Sequence, residues 1–120
     1  MFKWQAKLAF VLEKVEDIIA YQERYGSVVE MLNDKMAYDA VLMCLLQIGE
    51  TLHKLEKSPY ADKLPIKGAY DVRNFIAHDY EGVNRAIIED VIRRHIPALQ
   101  RQLFDVLDTE TKEMMCMKKS

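Results

Sequence analysis

The scarcity of helix-breaking residues is the feature that most limits how this chain can fold. Its 120 residues include only four glycines and three prolines, and long stretches contain neither. Such stretches favour long helices joined by few turns. In the first of them, apolar residues recur at steps of three and four, the spacing of an amphipathic helix: Trp4, Leu8, Val11, Val15 and Ile18. The pattern therefore predicts an all-α protein, an up-and-down bundle of four to six helices.

Residues typical of helix ends divide the N-terminal part of the chain. Gly26 is a candidate C-cap for the first helix. Ser27, followed three residues later by Glu30, forms a capping-box pattern that predicts one or two further helical turns. Asn33 or Asp34 is then the candidate N-cap of the next helix.

The third helical segment differs from the first because it is apolar on every side. Residues 40–46 are seven consecutive apolar residues, and a helix of this kind is expected to be buried all round. In a chain of this length one layer of helices can leave part of it uncovered, so the segment favours a homodimer. Burial of the same helix within one chain is the alternative, and the sequence leaves both open.

Prolines mark the breaks in the C-terminal half of the chain. Pro65, in the loop SPYADKLPIKG, suits the first turn of a helix running through DVRNFIAHDY toward Gly82. Pro97 is expected to kink the last apolar segment or to divide it into two helices. We divide the chain into a helical domain over residues 1–107 and a polar tail over residues 108–120 that is expected to fray.

Composition and charge exclude few functions. The chain has 17 Lys and Arg against 19 Asp and Glu, a formal net charge of −2, so contact with RNA would require a local basic cluster. No stretch is long enough to span a membrane or resembles a signal peptide, so we expect a cytoplasmic protein with no membrane partner. The cysteines and histidines lack metal-ligand spacing, so no metal or other cofactor is expected. His53 and His95 are expected at surface or capping positions.

The stretch RNFIAHDY, from Arg73 to Tyr80, combines polar groups suited to phosphate chemistry with apolar neighbours. Arginine binds phosphate through a planar fork of donors, and histidine exchanges protons near neutral pH. Asn74 and His78 share a helix face, whereas Arg73 and His78 differ in direction by about 140°. Either the helix ends near His78, or the two side chains meet equivalent residues of a second chain. Both arrangements predict a composite pocket near a helix end.

These side-chain types fit cleavage of RNA by its own 2′-hydroxyl. In that reaction a base removes the hydroxyl proton, an acid protonates the leaving 5′-oxygen, and cations stabilise the pentacoordinate phosphorus. Asn74 is placed to orient the His78 ring or to contact phosphate, and the spacing leaves the role of Tyr80 open. Capping or packing roles for Arg73 and His78 are the alternative.

The same stretch resembles the R-x4-H-x-Y motif of the HepT-like toxins within the HEPN superfamily, with Arg73, His78 and Tyr80 at the motif positions. The segment LQIGE, residues 46–50, is similar to the Q-I-G-E segment on the long buried helix of these proteins. The order of helices and the proline in the last segment also agree. One departure is the missing aromatic residue shortly after the proline that opens the motif helix, for which Tyr70 is the candidate substitute.

The resemblance implies a metal-independent endoribonuclease toxin of a type VII toxin–antitoxin pair, a homodimer in which the two motifs face each other. It implies that Arg73 and His78 are catalytic. It also implies a nucleotidyltransferase antitoxin of the MntA type that attaches AMP to the motif tyrosine, Tyr80, where the added phosphate and bulk would obstruct RNA. The alternative is a non-catalytic helical module that docks a nucleotidyltransferase or presents it with substrate.

Residues outside the motif are candidates for supporting roles. Glu50 follows Gly49 on the apolar helix, where an unpaired carboxylate is costly. We expect Glu50 to bond to the motif arginine or histidine, and Gly49 to permit close approach of the helices. A position for Glu50 at the rim, in contact with water, is the alternative. Lys67 and Arg85 flank the motif and are candidate contacts to RNA phosphates.

Overall fold

The computed structural model describes the backbone of residues 4–119 and the side chains of residues 4–109, 111 and 112. Over this range the chain is mostly helical and contains no strand, which confirms the predicted all-α class. No helix in the same range is long and apolar enough to cross a membrane. The α-helices are α1 (Gln5–Tyr25), α2 (Val28–Asn33), α3 (Lys35–His53), α4 (Ile66–His78), α5 (Arg85–Asp90) and α6 (Ile96–Lys119).

The end of α1 and the start of α2 are fixed by the residues predicted to do so. Gly26 has a φ of 83°, the left-handed conformation that favours glycine, and its N–H donates to the carbonyl of Gln22. The Ser27 hydroxyl then accepts a hydrogen bond from the N–H of Glu30 at 3.1 Å. Both predicted caps are present.

Asp34 caps α3 and also ties it to α1. Its carboxylate accepts hydrogen bonds from the Tyr25 hydroxyl at 2.7 Å and from the Ala37 N–H at 3.0 Å. These two donors, the hydroxyl first, hold the pKa of Asp34 below its usual value because they stabilise the charged carboxylate. Asp34 is therefore the cap, and Asn33 ends α2.

Helix α3 is central and packs against α1, α2 and α4. The expectation that residues 40–46 are buried on every side is wrong at Met43, which is 50% exposed. Ala40 and Leu46 are half-buried. Within this segment Val41, Leu42, Cys44 and Leu45 are covered by helices of the same chain, so their burial needs no second copy. The buried residues of α3 are Ala37, Val41, Leu42, Cys44, Leu45, Ile48, Gly49 and Leu52.

The disturbance predicted at Pro97 takes the form of a π turn. This turn, Val91–His95, joins α5 directly to α6, and the Ile96 N–H donates to the carbonyl of Val91. In a regular α-helix a proline ring crowds the carbonyl four residues before it and offers no N–H to it. A π turn immediately before Pro97 widens the backbone where that crowding would occur.

The C-terminal helix extends beyond the predicted domain limit. Helix α6 packs along α1, burying Leu99, Leu103 and Val106, and it is helical through Lys119. The predicted limit at residue 107 therefore does not coincide with a helix end. The division of the chain into residues 1–107 and 108–120 stays a prediction.

Candidate active site

Helices α3 and α4 come very close together at Gly49. A Cβ atom built on Gly49 would lie 2.5 Å from the Cβ of Arg73 and 2.7 Å from the carbonyl oxygen of Ala69. Both separations are well inside ordinary van der Waals contact. The absence of a side chain at Gly49 is therefore what permits this approach, as the sequence predicted.

The close approach brings Arg73 against Glu50, the residue after Gly49. Nη2 of Arg73 lies 2.5 Å from Oε1 of Glu50, and Nη1 donates to Oδ1 of Asn74 at 2.9 Å. The Arg73 side chain is 31% exposed and that of Glu50 is 42% exposed, so the pair contributes less than about 1 kcal/mol to folding. Its main effect is to fix the guanidinium at the surface. The predicted bond between Glu50 and the motif arginine is present.

One helical turn away, an aromatic contact joins the same two helices. The rings of His53 and Tyr70 stack with centroids 3.9 Å apart and planes inclined by 14°. The guanidinium carbon of Arg73 lies 5.6 Å from the centre of the Tyr70 ring. This stack was not predicted from the sequence. The signal available was the matched spacing of three residues, from Glu50 to His53 on α3 and from Tyr70 to Arg73 on α4.

His78 is the last residue of α4. The helix therefore ends before Gly82, the residue toward which it was expected to run, and ends near His78 as one of the two predicted arrangements required. Its side chain is exposed and, among the described residues, makes no hydrogen bond or ion pair. Because α4 is helical from Arg73 through His78, these two side chains leave the helix in directions about 140° apart. A single chain therefore directs them to different parts of its surface.

Tyr80 lies in the short turn that follows α4. The Asp79 carboxylate accepts a hydrogen bond from the Gly82 N–H at 3.1 Å, which closes the turn. Tyr80 is 39% exposed, and its hydroxyl donates a long hydrogen bond of 3.5 Å to the backbone carbonyl of Asp39 on α3. Partial burial, followed by the negative charge of Asp39, raises the pKa of Tyr80 above its usual value. The phenol is therefore protonated at neutral pH.

The two candidate phosphate contacts already have protein partners. Lys67 is 91% exposed and pairs with Asp71 at 3.0 Å. Arg85 donates to Oδ1 of Asn33 at 2.9 Å, and its guanidinium carbon lies 4.9 Å from the centre of the Tyr38 ring. Contact with RNA by Lys67 or Arg85 stays a prediction.

An apolar groove of about 390 Å³ lies on another side of α4. Its walls include Ile48 of α3, Val72 of α4 and Leu99 of α6. Neither Arg73, His78 nor Tyr80 lines it. The candidate catalytic residues therefore lie on an open surface rather than in this groove.

The fold and these side chains define an all-α domain in which one surface helix presents an exposed histidine and an arginine, and the arginine pairs with a carboxylate of the neighbouring helix α3. The chain belongs to the ribonuclease HepT-like family, whose model matches residues 11–106. The match spans every residue of the candidate site described above.

Curated relatives with the name RNase match the chain over most of their length. “Putative RNase MJ1216” of Methanocaldococcus jannaschii is 29% identical over 115 residues, which cover 91% of this chain and 92% of the relative. “Putative RNase TTE0752” of Caldanaerobacter subterraneus is 30% identical over 103 residues, 84% of this chain and 85% of the relative. No solved structure matches the chain.

Proposed function

We propose that this protein is an endoribonuclease that cleaves RNA by attack of a 2′-hydroxyl on the adjacent phosphate. One observation carries the proposal: Arg73, fixed at the surface by Glu50 and Asn74, shares an exposed helix with a solvent-accessible His78. Membership of the HepT-like family and the names of the relatives support RNA as the substrate class.

In the proposed reaction Arg73 binds the non-bridging oxygens of the scissile phosphate and stabilises the charge that grows on them. The 2′-oxygen bonds to phosphorus as its proton passes to a base. The bond from phosphorus to the 5′-oxygen breaks as that oxygen takes a proton from an acid. The products are a 2′,3′-cyclic phosphate and a 5′-hydroxyl, and no step requires a metal ion.

A homodimer would complete this site. Arg73 and His78 of one copy point in directions about 140° apart. In a dimer, the arginine of one copy and the histidine of the other can instead reach the same phosphate. Two copies also supply two His78 side chains, one as base and one as acid. The exposed arc of α4 between these residues includes Ala77 and continues to Phe75, which is 39% exposed. Apolar groups in such a position favour a contact between copies.

The test is cleavage of single-stranded RNA by the purified protein in the presence of EDTA. We expect cleavage to be lost in Arg73→Ala and in His78→Ala while the oligomeric state is unchanged. Arg94→Ala and His95→Ala are matched controls, since both residues are exposed and lie off α4, and they should cleave normally. Loss of cleavage in EDTA, or its survival in both α4 variants, would contradict the proposed mechanism.

We further propose that a nucleotidyltransferase antitoxin inactivates this protein by transferring AMP to Tyr80. The phenol oxygen would attack the α-phosphorus of ATP, the bond to the β-phosphate oxygen would break, and pyrophosphate would leave. The raised pKa of Tyr80 keeps the phenol protonated, and we propose that a base of the transferase takes this proton as the bond to phosphorus forms.

Mass spectrometry tests this modification. With transferase and ATP, the protein should gain the mass of whole AMP units on Tyr80, and Tyr80→Phe should gain none. Tyr38→Phe is the control, because Tyr38 is a half-buried neighbour on α3. Modification at another residue would contradict the assignment, and AMP transfer to a protein that cleaves no RNA would favour the non-catalytic module.

A further inference from the structure

The stack of His53 on Tyr70 has no role in the proposed cleavage reaction, yet it stands beside the proposed phosphate site. The His53 side chain is 43% exposed. Because Tyr70 stacks on one face of the imidazole at 3.9 Å, a further ring could stack only on the opposite face. The surface next to Arg73 therefore carries a partly exposed aromatic ring.

Polar contacts do not explain why His53 lies in this position. Its nearest charged partner is Glu56, with Nδ1 of the ring 3.9 Å from the carboxylate oxygen, which is too long for a hydrogen bond. No hydrogen bond from the His53 side chain occurs within the described part of the chain. The ring stacks on Tyr70 and is at ion-pair distance from Glu56, and an exposed pair of this length contributes little to its position.

The groups on this surface are of the kinds that bind single-stranded RNA. Arg73 supplies a cation for phosphate, the centre of the Tyr70 ring lies 5.6 Å from its guanidinium carbon, and His53 stacks on Tyr70. Proteins bind single-stranded RNA by pairing a cationic track with aromatic faces on which unpaired bases stack. Glu56, exposed beside the His53 ring, repels a phosphate there and so favours a base over the sugar–phosphate backbone.

We propose that the His53–Tyr70 stack is a nucleobase-binding site for a nucleotide flanking the phosphate at Arg73. The proposal rests on the ribonuclease function argued above. The ligand is an unpaired base of single-stranded RNA, which stacks on the outer face of His53. Because every base has a π face, the site tolerates different sequences.

Equilibrium binding of short single-stranded RNA tests the proposal, with all proteins carrying His78→Ala to prevent cleavage. Two oligonucleotides of equal length are compared, one ordinary and one abasic throughout. His53→Ala should weaken binding of the ordinary oligonucleotide by about 5- to 100-fold and leave binding of the abasic one unchanged. His53→Phe and Tyr70→Phe keep the stacking rings and should bind both as the parent does, as should the control His95→Ala.

The outcomes separate this inference from the function on which it rests. If the wild-type protein cleaves RNA and Arg73→Ala weakens binding of both oligonucleotides, the ribonuclease proposal stands. The nucleobase site is then refuted if His53→Ala binds the ordinary oligonucleotide normally. It is also refuted if His53→Ala weakens the binding of both oligonucleotides equally, which is the result expected of a purely structural role. If the wild-type protein cleaves nothing and Arg73→Ala changes neither binding constant, the ribonuclease function itself is refuted.

Discussion

Replacing Gly49 with alanine tests whether close helix approach builds the candidate site. The new methyl group would lie 2.5 Å from the Cβ of Arg73 and 2.7 Å from the carbonyl oxygen of Ala69. Ordinary contacts between carbon atoms are about 3.5–4.0 Å, so α3 and α4 must separate by about 1 Å at this point. The Ala69 oxygen belongs to the backbone and cannot rotate away.

The expected size of the effect follows from two opposing contributions. Overpacking of this kind costs about 1–3 kcal/mol, whereas exchanging glycine for alanine within a helix stabilises it by about 1 kcal/mol. Gly68→Ala is the matched control, because Gly68 is in α4 and no atom lies within 4 Å of a Cβ built there. The helix contribution largely cancels between the two variants. Gly49→Ala should therefore be less stable than Gly68→Ala by about 1–3 kcal/mol.

Urea unfolding followed by far-UV circular dichroism measures this difference. Protein concentration must be held fixed, since the stability of any dimer depends on it. In parallel, RNA cleavage by Gly49→Ala should fall by up to about 100-fold, because a displacement of about 1 Å moves Arg73 relative to its target. If Gly49→Ala is as stable as Gly68→Ala, α3 and α4 do not depend on glycine for their packing, and the reasoning fails.

Three further changes have effects that the structure predicts. Glu50→Gln removes the charge that fixes Arg73, so cleavage should fall by about 10- to 100-fold while urea unfolding shifts by less than about 1 kcal/mol. Ser27→Ala removes the N-cap of α2 and should cost about 1 kcal/mol in urea unfolding. Because the folded pKa of Asp34 is lowered, its stabilising contribution is present above its unfolded pKa, near 4, and is lost as pH falls through the folded value. Tyr25→Phe removes the main cause of that shift, so the free energy of unfolding should fall less steeply with acid than in the wild type.

Each of these expectations has a result that would overturn it. Normal cleavage by Glu50→Gln would mean that Arg73 needs no carboxylate to hold it. Unchanged stability in Ser27→Ala would show that the hydrogen bond to the Glu30 N–H is not important in solution. Parallel acid-unfolding curves for the wild type and Tyr25→Phe would place the acid sensitivity elsewhere than at Asp34.

Features encoded by neighbouring residues could be predicted from the sequence. The caps at Gly26, Ser27 and Asp34 depend on side chains that bond to backbone within a few residues, so short patterns reveal them. The close approach of helices at Gly49 was also predictable. Glycine is disfavoured in a helix interior, and a buried carboxylate needs a partner, so Gly49 followed by Glu50 indicated contact with another helix. The motif in α4 indicated the family. The motif did not show which of its side chains contact α3.

Features that depend on the packing of distant elements could not be predicted in the same way. The exposure of Met43 depends on which side of α3 its neighbours leave open, and no local pattern specifies that. The stack of His53 on Tyr70 could be predicted only if the axial register between α3 and α4 were known. The π turn before Pro97 is one of several ways in which a helix can accommodate proline, and the sequence does not select among them.

The two points at which α3 meets the motif lie far apart along its axis. The backbone carbonyl of Asp39 accepts a hydrogen bond from the Tyr80 hydroxyl, and the Glu50 carboxylate pairs with the Arg73 guanidinium. Asp39 and Glu50 are eleven residues apart on the helix, so their backbone positions are separated by about 16 Å. An adenylyl group on Tyr80 would thus be attached at the His78 end of the motif, remote from the guanidinium of its own chain. Inhibition by such a mark would act by obstructing the route of the RNA strand rather than by neutralising that guanidinium directly.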